Sequence, residues 1–176
     1  MFHELAHATF YNQAGSNWYD TFVNAVIHEM ISNLSNNTFP YGPGNNPTYS
    51  PIIAVGESWP YHYGRFLANQ RYGANADICV LAQRGGTVFC GTGAYLTASE
   101  NFNPTLQPDP FRWIPDSVYL DLMDGGVEPQ ASRVNDQVTG YTNQQMFTAF
   151  NSTTRSPQAY RDRLLQLNNK IVFKRS

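Results

Sequence analysis

Phe2-His3-Glu4-Leu5-Ala6-His7-Ala8-Thr9-Phe10-Tyr11-Asn12-Gln13 contains no Gly or Pro and runs into Ala14-Gly15. An unbroken stretch that stops at glycine predicts a helix from about Phe2 to Gln13. A four-residue step on a helix is little more than one turn, so the His3 and His7 imidazoles share a face, one above the other. Two nitrogen donors on one rigid element can grip a single metal ion. Glu4 lies about a quarter-turn from His3, where a carboxylate can reach water activated by that metal and act as a general base. With four histidines and five glutamates in the chain, chance alone produces H-E-x-x-H in about one such sequence in four hundred. The competing reading is a helix that merely carries two surface histidines.

The pattern continues helical beyond Gly15. Ser16 or Asn17 is the expected N-cap of a second helix, with Trp18, Phe22, Ala25, Val26, Met30, Ile31 and Leu34 forming an apolar face that packs on the first. Asn36 to Tyr49, rich in Asn, Gly and Pro, reads as an irregular loop. Ser50-Pro51 supplies an N-cap and a proline at the first helical position of a third helix, which runs to Tyr72 before Gly73. Pro60 has no amide to bond the Gly56 carbonyl, so a kink or a restart is expected there, beside Glu57.

Ile78 to Cys90 reads as two short strands around a turn at Arg84-Gly85 or at Gln83 to Gly86, and either turn sets Cys79 opposite Cys90. A disulfide between them would contribute about 2 to 3 kcal/mol and persist only in an oxidising compartment. Two buried free thiols are the alternative. After a Pro-rich connection from Pro104 to Pro115, Pro115 to Met123 reads as a short helix ended by Asp124-Gly125-Gly126. Thr142-Asn143-Gln144-Gln145 has the form of a capping box opening a helix to about Phe150, and Ser156-Pro157 opens another through Leu167. The expected fold class is mainly α (α+β), helical with one β-hairpin, in a single domain spanning 1–176.

Composition narrows the setting. A chain of 176 residues buries enough surface to fold without a metal or a disulfide. Charged residues make up 14%, against about 25% in ordinary soluble domains, which points to an extracellular or periplasmic protein. The net charge is −2, and both lysines, Lys170 and Lys174, sit beside Arg175 at the end of the chain, so no nucleic-acid-binding face forms. No apolar run is long enough to span a bilayer, and no export signal opens the chain. The sequons at Asn33, Asn36 and Asn151 are unremarkable in a chain this rich in Asn, Ser and Thr.

His3-Glu4-Leu5-Ala6-His7 resembles the signature of the zincin metallopeptidases. Ala8-Thr9-Phe10-Tyr11-Asn12-Gln13 lacks the third histidine of the metzincin branch. Gly56-Glu57-Ser58-Trp59 is similar to the second helix of the gluzincins, which implies Glu57 as third ligand of one zinc ion. Tyr61 stands where several gluzincins have an acidic residue that orients a zinc-bound histidine, so Asp121 or Asp124 is expected to fill that place. Rival third ligands are His62, which would need Pro60 to distort the helix, His28-Glu29 on the second helix, and Glu100 and Glu128 in loop-like stretches. Tyr61, His62, Tyr63 and Tyr141 are candidate stabilisers of the oxyanion.

What the resemblance implies is a secreted peptidase that hydrolyses a peptide or protein substrate, with Glu4 as general base. Zincins usually place a sheet before the active-site helix. None precedes His3, so the chain is expected to be a helical C-terminal subdomain, a fragment of a larger metallopeptidase-like protein. The alternatives are a non-catalytic binding module that retains the metal site, and a structural zinc site closed by four protein ligands.

Overall fold

The computed structural model describes residues 2–35, 46, 48–73, 79–81, 88–90, 119, 122–123 and 140–168. Gly15 closes one helix and opens the next. Its N–H donates to the Tyr11 carbonyl at 2.9 Å, and its own carbonyl accepts from the Tyr19 N–H at 3.2 Å. Its φ of +87° lies in the left-handed region that side chains rarely adopt. Helix α1 (Phe2–Ala14) therefore passes into α2 (Ser16–Ser35) through one residue. Gly15 itself takes the cap position expected of Ser16 or Asn17, both of which lie inside α2.

Burial on α2 follows Trp18, Phe22, Ala25 and Glu29, while Met30 and Ile31 are exposed, contrary to the expected apolar face. The stripe is narrower than composition suggests, and Ile31 lies about 200° around the helix from Glu29. The side chain of Leu34 lies outside the described residues. So does most of the loop from Asn36 to Tyr49.

Helix α3 (Ser50–Tyr72) runs through Pro60 without a restart. Ile52, Ile53, Ala54, Val55 and Trp59 of this helix are all buried. Ser50 does not cap the helix. The Tyr49 carbonyl accepts the Ile53 N–H at 3.2 Å, so Tyr49 takes that position, and the buried Ser50 Oγ has no hydrogen-bond partner among the described residues.

Strands β1 (Cys79–Leu81) and β2 (Val88–Cys90) pair antiparallel with Cys79 opposite Cys90. The expected turn at 82–87 and the two cysteine side chains lie outside the described residues, so the disulfide stays an expectation. Of the short helix expected over 115–123, Tyr119, Leu122 and Met123 are described, and all three are helical. Helix α4 (Asn143–Thr148) opens on the expected capping box: Thr142 Oγ1 accepts from the Gln145 N–H at 3.2 Å, and Gln145 Oε1 accepts from the Thr142 N–H at 2.8 Å. It stops at Thr148, two residues early. Helix α5 (Pro157–Leu167) follows Ser156, whose hydroxyl accepts from the Ala159 N–H at 3.1 Å. The fold is mainly α. No helix among the described residues is long and apolar enough to cross a membrane.

The chain divides into two compact units, with the division falling inside α1 after Ala6 and inside α3 after Ser58. One unit holds His7 to Ala14, α2, α3 up to Ser58, α4 and α5. Its core is a run of aromatic contacts: Phe10 on Trp18 at 4.5 Å, Phe10 on Phe150 at 4.8 Å, and Phe150 stacked on Tyr160 at 4.4 Å. Trp18 Nε1 donates to the Thr154 carbonyl at 2.7 Å and Gln13 Nε2 to the Phe150 carbonyl at 3.0 Å, tying the α1–α2 elbow to the α4–α5 connection. Full burial of each such ring is worth about 1.5 to 3 kcal/mol. The other unit holds the first turn of α1, α3 from Trp59 onward, the strand pair and Tyr141. Trp59, His62, Tyr63, Phe66 and Tyr119 form its aromatic cluster.

Candidate metal centre

Ala6, Phe10 and Ala14 recur at four-residue steps and are buried, and they turn one face of α1 inward. His7 lies beside that stripe and is itself 8% exposed; His3 is half-buried one turn earlier. Glu4 and Leu5 face outward. On α3, Glu57 is 7% exposed, and a carboxylate that deep needs a charged or hydrogen-bonding partner. His7 Nε2 stands 3.5 Å from Glu57 Oε2.

His7 and Glu57 belong to the same compact unit. One ligand atom from each of the three lies within 4.8 Å of the others. Donor atoms that share a tetrahedral zinc stand about 3.3 Å apart, so the 3.5 Å His7–Glu57 distance fits with little rearrangement. Two imidazoles and one carboxylate also suit zinc chemically, and catalytic zinc sites commonly take three protein ligands. Among the described residues no other group of three histidine, cysteine or acidic side chains gathers in this way.

The chain matches no known protein family, curated protein or solved structure.

Tyr61 sits with its ring 4.5 Å from that of His3, tilted by 59°, and Arg65 lies 5.6 Å over the other end of the pair, on the Tyr61 ring. His62 is elsewhere. A five-residue step from Glu57 is about 140° around a helix, and because α3 is continuous through Pro60, His62 enters the aromatic cluster: Tyr119 at 4.9 Å, Trp59 at 5.5 Å and Phe66 at 6.4 Å. Tyr63 stacks on Trp59 at 5.2 Å. Tyr141 is buried, its N–H donates to the Leu122 carbonyl at 2.7 Å, and desolvation raises its phenol above the ordinary value of 10.0. It therefore stays protonated at neutral pH. His28 is exposed and stacks flat on Tyr49, centroids 5.0 Å apart, while Glu29 is buried at 2% exposure. Asp121, Asp124, Glu100 and Glu128 lie outside the described residues.

Two glycines of α3 shape this site, and sequence reasoning assigned neither a packing role. A Cβ on Gly64 would stand 2.9 Å from the His3 backbone nitrogen and 3.0 Å from its Cα. A Cβ on Gly56 would overlap the Phe22 ring. Their signal in the sequence is the recurrence of Gly56, Pro60 and Gly64 at four-residue steps, which lines one side of α3 with residues that let another chain segment come close.

Proposed function

We propose that the chain holds one zinc ion through His3, His7 and Glu57 and hydrolyses peptide bonds in a peptide or protein substrate. The observation that carries this reading is the convergence of those three side chains, with His7 Nε2 3.5 Å from Glu57 Oε2. Zinc bound there would supply Lewis acidity, polarising a carbonyl and lowering the pKa of water. Glu4 is exposed beside His3 and outside the donor set, which supports it as the base that takes a proton from the attacking water and hands it to the leaving amine. The ring contact between Tyr61 and His3 supports Tyr61 as the group that hydrogen-bonds the oxyanion. The gluzincin-like motif and the low charge content support a metallopeptidase acting outside the cytoplasm.

A mass-spectrometric metal count on the purified protein, beside His3→Ala, tests the reading. Wild type is expected to retain one zinc per chain and His3→Ala to lose it. A wild type that binds no zinc when supplied with it overturns the proposal. Zinc binding without any hydrolysis of a mixed peptide library favours a binding module instead.

A further inference from the structure

The ring of Phe22, from α2, touches both sides of the metal centre. Toward α3 it fills the space beside Gly56, the neighbour of Glu57: a Cβ there would overlap Phe22 Cε2 and Cδ2 and stand 3.1 Å from Cζ. Toward α1 it stacks on the His7 imidazole, with centroids 5.8 Å apart and planes 28° apart. It has little freedom to move. Trp18 stacks behind it at 5.6 Å, Tyr19 flanks it at 5.5 Å, and only 4% of it is exposed.

That contact bears on the orientation of one ligand, His7. The torsion that turns an imidazole about its Cβ–Cγ bond has a broad, roughly two-fold profile, so packing rather than intrinsic preference must select the ring plane. An aromatic face laid nearly parallel to His7 does this, and Gly56 lets that face reach the ring while Glu57 stays on the adjacent position of α3.

We propose that Phe22, seated in the gap left by Gly56, is a positioning residue for the metal centre, holding the His7 ring in the plane that aims Nε2 at Glu57. It supplies no donor atom itself. The role rests on the zinc reading given above and names the packing on which that site depends.

A size-exchange cycle tests it. Wild type, Gly56→Ala, Phe22→Leu and the double variant are compared for zinc affinity by competition with a chromophoric chelator. Leu164→Ala, a buried change in α5, serves as a control for loss of stability alone. Each single variant is expected to bind zinc about 10- to 100-fold more weakly, the range seen when ligand-orienting neighbours are altered. The double variant is expected to bind more tightly than Gly56→Ala, because the smaller side chain vacates the space that the new methyl needs. Leu164→Ala should melt earlier yet bind zinc as wild type does. Equal affinity in wild type, Phe22→Leu and Gly56→Ala overturns the positioning role while leaving the zinc reading intact. So does a loss in Leu164→Ala as large as in the single variants. Should Gly56→Ala fail to fold, Phe22→Leu, which adds no clash, decides the matter alone. A wild type that binds no zinc overturns the zinc reading and this role with it.

Discussion

His7 Nε2 and Glu57 Oε2 meet at 3.5 Å, each on its own helix and both almost wholly buried. A proton on the facing imidazole nitrogen or a cation shared between the two groups can each satisfy a buried carboxylate, and the second needs that nitrogen unprotonated. In both states the two side chains depend on each other. Removing one takes a close polar neighbour from the other.

Glu57→Ala and His62→Ala separate the proposed third ligand from a core histidine. Glu57→Ala is expected to weaken zinc retention at least tenfold in a chelator competition. His62→Ala is expected to keep the metal and instead lose on the order of 2 to 4 kcal/mol of stability, since truncation empties a place among Trp59, Phe66 and Tyr119. Equal zinc retention in Glu57→Ala and wild type would move the third ligand to another residue.

Glu4→Gln should part binding from chemistry. Glu4 is exposed and outside the donor set, so the isosteric amide is expected to leave the helix, the melting temperature and the zinc content unchanged. Peptide hydrolysis should fall by about 10²- to 10⁴-fold, the usual contribution of a general base. The assay uses the longest natural form of the protein with a mixed peptide library. Full activity in Glu4→Gln rejects the mechanism.

Gly64→Ala probes the close approach of α3 to the first turn of α1. The added Cβ meets backbone atoms of His3 at 2.9 and 3.0 Å, and backbone cannot rotate out of the way as a side chain can. Crowding of this kind costs about 1 to 3 kcal/mol, against roughly 1 kcal/mol gained in helix propensity. The expected result is a net loss of stability together with weaker zinc binding, because His3 must move. A variant that melts later than wild type with unchanged zinc affinity contradicts the packing described.

Cys79 and Cys90 occupy opposite positions in the β1–β2 register, the arrangement a cross-strand disulfide requires. In protein exported to an oxidising compartment, a thiol reagent applied under denaturing, non-reducing conditions is expected to label neither cysteine. Two labelled cysteines would show that the strands carry free thiols.

Local features were legible in the sequence because neighbours within a turn decide them. Ala14-Gly15 ended α1, the Thr142 and Gln145 side chains capped α4, and Ser156-Pro157 opened α5, each through hydrogen bonds or torsions confined to a few residues. The shared face of His3 and His7 follows in the same way from the helical repeat alone. Where the sequence misled, the competing force was tertiary. Met30 and Ile31 are apolar yet exposed, and α3 continues across Pro60 without the restart that was one of the two expectations there. Burial depends on which surface another segment covers, and a missing backbone hydrogen bond can be offset by packing that no local pattern records.

The sequence by itself determined that two imidazoles share one face of a helix with Glu4 about a quarter-turn away, since the period of the α-helix leaves them no other arrangement. Only the tertiary structure decided that Glu57 comes to His7 while His62, five residues on, turns into an aromatic core. That choice is made by the rotation of α3 about its own axis, and the rotation is set by contacts between residues far apart in the chain: Phe22 against Gly56, and the His3 backbone against Gly64.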